Sequence, residues 1–274
     1  MSISVLKKLF PSLDQNDINE IHSKIGDKCN DFYFAEFLKA TKGNIGDAYR
    51  LFKFDEELRS LLLKYLLRFE IQIKSDFMGC LMKSTNDECF WEKEDNYIFR
   101  NHEEYEHLMQ KIRDAFANLN VPASHKDAYA VAYVISFGTF VSLFKYIKPD
   151  LKKDFVKKYT KKLFKKNDYQ LLNKYLLCIR ALRNRCAHGT HIVSNSFVNQ
   201  LGQYSFLKRE ENVGPGFEHY SVFELTLKYL IDMIYCTTEF KDKLLSLLDK
   251  RKGLYSKYGG KQSVNPTIID KLHK

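Results

Sequence analysis

From Phe54 to about Lys83 the apolar residues Leu58, Leu61, Leu62, Tyr65, Leu66, Phe69, Ile73 and Phe77 recur at three- and four-residue steps. That spacing lays one continuous stripe along a long α-helix. A stripe of this length needs partner elements that bury it, so the segment decides what the rest of the chain must supply. The expected partners are the apolar stretch Ala128 to Phe144 and the helix carrying Leu172 to Cys186, packed against Leu58, Leu62 and Phe69 in a single core. Asp55, Glu56 and Glu57 fall in the expected first turn, where carboxylates suit the positive end of the helix dipole.

Shorter helical patterns precede this segment, around Asp14 to Lys24 and Asp31 to Ala40, with a break at Lys42-Gly43-Asn44. Further helices are expected at about Glu103 to Leu119, Ala128 to Tyr146, Lys152 to Phe164, Tyr169 to His188, Val222 to Thr238 and Lys241 to Arg251. Ser84 to Tyr97, which holds the only tryptophan, reads as an ordered connection. Pro122, Pro149 and Gly214-Pro215-Gly216 fall between elements, where they do least harm. No alternating run bounded by hairpin turns argues for a sheet. The expected fold is therefore all-α. Its domains are expected to be an N-terminal helical cap over residues 1–50, a main helical domain over 51–252 and a basic tail over 253–274.

The uncharged stretch from Ala128 to Phe144 falls just short of a membrane span and contains two Ser, a Thr and a Gly, so it reads as a buried helix. The N-terminus lacks the apolar stretch and cleavage site of a signal peptide, and the 6 cysteines show neither CxxC nor zinc spacing. Reduced thiols in a cytoplasmic protein explain them best.

The net charge of +10 is local. Ten lysines between Lys145 and Lys166 face only Asp150 and Asp154, and a second basic run begins at Lys250, so the remainder of the chain is net acidic. Such lysines suit a polyanion, because each phosphate contact releases counterions without needing a base sequence. They suit a solvated helix face equally well. Lys152, Lys153, Lys157, Lys158, Lys161 and Lys162 are the candidate RNA contacts of the first run.

The segment Leu176 to Val193 carries the chemistry. Leu172, Tyr175, Leu176, Ile179, Leu182 and Cys186 form an ordinary core stripe, but Arg183, Asn184, Arg185 and His188 crowd its end before Gly189 stops the helix. Asn184 and His188 are four residues apart and share a face. Arg183 lies about 140° away from His188 on a regular helix. An imidazole can take a proton at neutral pH, a guanidinium can stabilise charge on a phosphate, and an amide can orient either. That set suffices for RNA cleavage without a metal. The same residues also suit the negative end of a helix dipole, so spacing leaves both readings open. No Gly-rich phosphate loop, HExxH or nucleophile elbow is present.

Arg183-Asn184-Arg185-Cys186-Ala187-His188 resembles the R-N-x-x-A-H form of the HEPN motif. The segment Leu51 to Leu63, LFKFDEELRSLLL, resembles the opening of the first long helix of Abi-like (abortive infection) proteins, and Ile135 to Thr139 resembles their mid-chain S-F-G-T segment. All three stand in family order, and the resemblance covers roughly Ala48 to Leu201. It implies a HEPN-type helical bundle, a role in phage defence, and an RNA-cleaving or RNA-binding site lined by Arg183, Asn184 and His188. It also implies a partner RNA, in some relatives a structured small RNA, and a homodimer in which two motifs face each other. Many relatives have an Arg-Leu pair soon after the histidine, where this chain has Thr190-His191-Ile192. His191 is thus either a substitute phosphate contact or a plain surface histidine. Arg180 and Arg185 join the candidate RNA contacts.

The leading expectation is a metal-independent endoribonuclease toxin with no cofactor and no membrane association. The alternatives are an RNA-binding defence component with little cleavage activity and a purely structural helical module.

Overall fold

The structure is a computed structural model that describes residues 4–26, 30–120, 122, 126–160, 168–193, 201, 221–234 and 237–250. Among these residues every regular element is helical: α1 (Ser4–Leu9), α2 (Gln15–Ile25), α3 (Asp31–Ala40), α4 (Ile45–Thr85), α5 (His102–Asn118), α6 (Ala128–Val134), α7 (Phe137–Tyr146), α8 (Lys153–Thr160), α9 (Tyr169–Ala187), α10 (Val222–Met233) and α11 (Thr237–Asp249). The all-α expectation holds. None of the described helices is long and apolar enough to cross a membrane. The basic tail after Lys250 and the Gly214-Pro215-Gly216 turn lie outside the described residues.

Helix α4 starts well before its apolar stripe does. Asn44 accepts the Asp47 amide at 2.8 Å and so supplies the N-cap. Asp55, Glu56 and Glu57 consequently sit inside the helix rather than in its first turn, and the dipole account of them fails. The start expected at Phe54 is too late: Ile45, Ala48, Tyr49 and Phe52 already carry the helical spacing. The stripe itself is as expected: Leu58, Leu62, Tyr65, Leu66, Phe69, Ile73 and Phe77 are all buried, and only Leu61 is partly exposed.

The chain divides into two compact units, each made of separate stretches of sequence. The first comprises residues 1–63, 184–203 and 238–274. Here α1 packs on α3, and a cluster of rings brings Phe52 edge-on to Tyr33, Phe34 and Phe37. The second comprises residues 64–183 and 204–237. Its centre is aromatic. Phe77 contacts Phe140, Phe144 and Phe155, while Phe69 meets Tyr159 and Tyr229, and Tyr229 stacks on Tyr175 at 4.7 Å. Of the expected partners of the stripe, α7 is thus in direct contact with Phe77.

The segment Ala128 to Tyr146 is two helices where one was expected. Ile135 and Ser136 adopt extended backbone, and the Ser136 hydroxyl accepts the Thr139 amide to cap α7. Tertiary structure provides the reason for the break. The Ile135 carbonyl receives a hydrogen bond from the buried Lys74 ammonium at 2.8 Å, which a continuous helix would have tied up internally. The segment Ser84 to Tyr97 is ordered, as expected, through two 3-10 turns and a bond from Trp91 Nε1 to the Lys126 carbonyl.

Candidate functional site

Helix α9 remains regular to Ala187, and its end is closed by the backbone. Gly189 takes the left-handed conformation at φ +68. Its amide donates to the Cys186 carbonyl at 3.4 Å, and the Thr190 amide donates to the Arg185 carbonyl at 3.1 Å, the paired bonds of a Schellman closure. His188 is the C-cap, its amide still bonded to the Asn184 carbonyl at 2.9 Å. Asn184 and His188 are both exposed, one turn apart on one face. A Cβ on Gly189 would stand 3.6 Å from the Arg59 guanidinium, an ordinary contact. Gly189→Ala should therefore cost only the left-handed backbone penalty, roughly 1–2 kcal/mol, read as a lowered thermal midpoint. No change would show that the Schellman turn does not set this end.

The turn after His188 is held by a residue far away in sequence. Asp55 is 0% exposed, and its Oδ1 accepts the amides of Ile192 at 2.8 Å and Val193 at 2.9 Å. Oδ2 accepts Arg59 Nε at 2.7 Å and the Tyr33 hydroxyl at 3.3 Å. Sequence reading missed Asp55 and Arg59 as site residues. Their signal was a charged pair at i,i+4 in which each member directly follows a core residue, Phe54 and Leu58. Cys186 lies in the same neighbourhood. Burial, assisted by Asp55, pushes its thiol up to about 12, which removes it as a nucleophile.

Arg183 belongs to the second unit. It is 29% exposed, and its Nε stands 3.4 Å from the Glu70 carboxylate. Glu70 also accepts from Lys74 at 3.3 Å. Burial lowers the Lys74 pKa despite Glu70, and Arg183 lowers it further. Two cations around one carboxylate leave the cluster with a formal excess of positive charge, which favours an anion.

The remaining candidates divide. Lys153 and Lys157 are exposed, and Lys158 pairs with Asp76 at 2.7 Å. Lys161 and Lys162 lie outside the described residues. Arg180 is half-buried beside Gly138. Arg185 donates to the His191 carbonyl at 3.1 Å, which ties it to the turn. His191 is drawn back from the surface. Its ring is half-buried against Tyr33 and Phe37, and burial lowers its pKa.

Lys152 is likewise withdrawn from any phosphate. It is 1% exposed, donates to the Phe144 carbonyl at 2.6 Å and lies over the Phe144 and Tyr169 rings. In effect it closes the end of α7. Burial pulls its pKa from 10.5 to about 8. Between those values the unfolded chain binds a proton that the native protein does not, so this group makes stability rise with pH from about 8 and level off near 10.5. Lys152→Met should remove that rise from a pH series of unfolding free energies. An identical series in the variant would contradict the buried, depressed lysine.

Among the described residues no group of three or more His, Cys, Asp or Glu side chains is arranged to hold a metal ion. The family model for Abi-like proteins matches residues 28–194, well over half of the chain. The match includes Asp55, Arg59, Arg183, Asn184 and His188. No curated protein and no solved structure gives a significant match.

Proposed function

The chain belongs to the Abi-like protein family, and from that premise we propose that it is an abortive-infection defence protein that cleaves RNA by metal-independent chemistry at His188, Asn184 and Arg183. The observation that carries this reading is the exposed Asn184–His188 pair at the closed end of α9. An imidazole there can reach a substrate from solvent, and the Schellman turn and the Asp55 bonds beyond it fix its backbone.

In the proposed step His188 removes the proton of an RNA 2′-hydroxyl, and that oxygen attacks the adjacent phosphorus. The new bond from the 2′ oxygen to phosphorus forms as the bond to the 5′ oxygen breaks. The departing oxygen takes a proton from water, and His188 later returns its proton to solvent. Arg183 stabilises the charge developing on the phosphorane, and Asn184 orients the imidazole or the phosphate. Lys153, Lys157 and Lys158 contribute affinity for the backbone without reading bases. A homodimer joining two motif faces, the arrangement the HEPN resemblance implies, would bring a second set of these groups to the substrate.

Each group this chemistry uses is a side chain of the protein. Purified protein in excess chelator should therefore cut RNA and leave 2′,3′-cyclic phosphate and 5′-hydroxyl ends, detectable by end-specific labelling. Strict dependence on added magnesium, or 3′-hydroxyl products, would refute the mechanism.

One observation favours a second reading, an RNA-holding protein with little cleavage. Arg183 is engaged with Glu70 and, on a regular helix, is turned about 140° from His188. In that case the protein copurifies with an intact structured RNA, and no cut ends accumulate.

A further inference from the structure

Three observations within the first unit meet at Arg59. Its Nε is held at 2.7 Å by the fully buried Asp55, and its outer nitrogens make no hydrogen bond among the described residues. One of those nitrogens lies 3.6 Å from the position a Cβ would take on Gly189, so the guanidinium lies beside the turn that immediately follows His188. Its side chain is 15% exposed, enough for one edge to meet solvent.

The charge arrangement supports a ligand rather than a closed ion pair. Asp55 is already compensated by the Ile192 and Val193 amides and the Tyr33 hydroxyl as well as by Arg59. Burial works against the Arg59 charge, but Asp55 outweighs it and raises the pKa, so the group stays cationic. A fixed, partly desolvated guanidinium with free outer donors is the geometry that grips a phosphate by two parallel bonds. A structural ion pair would account for Nε, but not for the outer edge turned toward the motif.

We propose that Arg59, oriented by Asp55, is a phosphate-binding residue of the Asn184–His188 face and grips the RNA backbone beside the scissile bond. This rests on the RNA-acting reading above. It gives that face a cation of its own, while Arg183 is paired with Glu70.

The test uses full-length protein and a short labelled single-stranded RNA of mixed sequence. Arg59→Gln removes the charge but can still donate to Asp55. It should weaken binding and lower the slope of log affinity against log salt by about one, with Arg59→Lys restoring the slope. Arg59→Lys should nonetheless cleave about tenfold more slowly, because a point charge cannot match the fork. A folded Arg59→Gln protein with unchanged affinity and slope overturns the proposal. Should Arg59→Gln fail to fold, a wild-type cleavage rate in Arg59→Lys overturns it instead. His188→Ala is run in parallel to separate the two failures. If it abolishes cleavage while the Arg59 variants behave as wild type, only the Arg59 assignment falls. If the wild-type protein neither binds nor cuts the RNA, the RNA-acting reading falls and this proposal with it.

Discussion

Asp55→Ala should destabilise the protein by about 3–5 kcal/mol, the range found when one partner of a buried ion pair is deleted. Four groups lose their acceptor at once: the Arg59 guanidinium, the Tyr33 hydroxyl and the amides of Ile192 and Val193. Buried amides without an acceptor carry the full desolvation penalty, and an alanine side chain offers them none. Native proteins are stable by only about 5–15 kcal/mol, so the variant should be close to unfolding at physiological temperature. Asp55→Asn should lie between, since its amide oxygen can still accept from the turn but can no longer pair with Arg59 by charge. Denaturant titration of the three proteins gives the comparison. A loss below about 1 kcal/mol for the alanine variant would mean that water replaces the carboxylate, and that Asp55 does not hold the turn.

Asp55 also marks where sequence reading stops. Periodicity located α4 and α9, because burial of one face constrains every third or fourth residue over many turns. It could not assign Asp55, because a carboxylate beside Phe54 and before Leu58 looks like any helix-entry acid until the segment 137 residues later supplies two amides. Lys152 was misread for the same reason. As one lysine in a basic run it resembles its exposed neighbours Lys153 and Lys157, yet its ammonium lies over the Tyr169 ring and bonds the end of α7. The break at Ile135–Ser136 depended on Lys74, a charge in another helix. What the sequence concealed in each case was a polar group satisfied by distant backbone. What it disclosed were local regularities: stripes and the glycine that ends α9. Asn184 and His188 were legible because helix spacing alone places them on one face. The guanidinium beside their turn was not legible, because it comes from α4.

His188→Ala should reduce RNA cleavage by about 10²–10⁴-fold, the usual contribution of a positioned general base. The variant is informative because His188 is exposed and its backbone, rather than its ring, takes part in the Schellman closure. Truncating an exposed side chain costs stability only within about 0.5 kcal/mol, so lost activity cannot be assigned to lost fold. RNA affinity should change little, since the proposed phosphate grip lies with the guanidinium groups and lysines, and the imidazole adds at most a hydrogen bond of about 1 kcal/mol. Arg183→Ala offers the contrast. It should also slow cleavage more than it weakens binding, because its contact strengthens as charge develops on the phosphate, but it leaves the proton-transfer group in place. The pH dependence of the residual rate then distinguishes them: the rise of rate with pH that a general base produces should persist in Arg183→Ala and vanish in His188→Ala. If His188→Ala loses affinity and cleavage together, His188 is part of the RNA grip. If it loses neither, the chemistry is elsewhere, and the exposed pair at the end of α9 is an ordinary polar helix terminus.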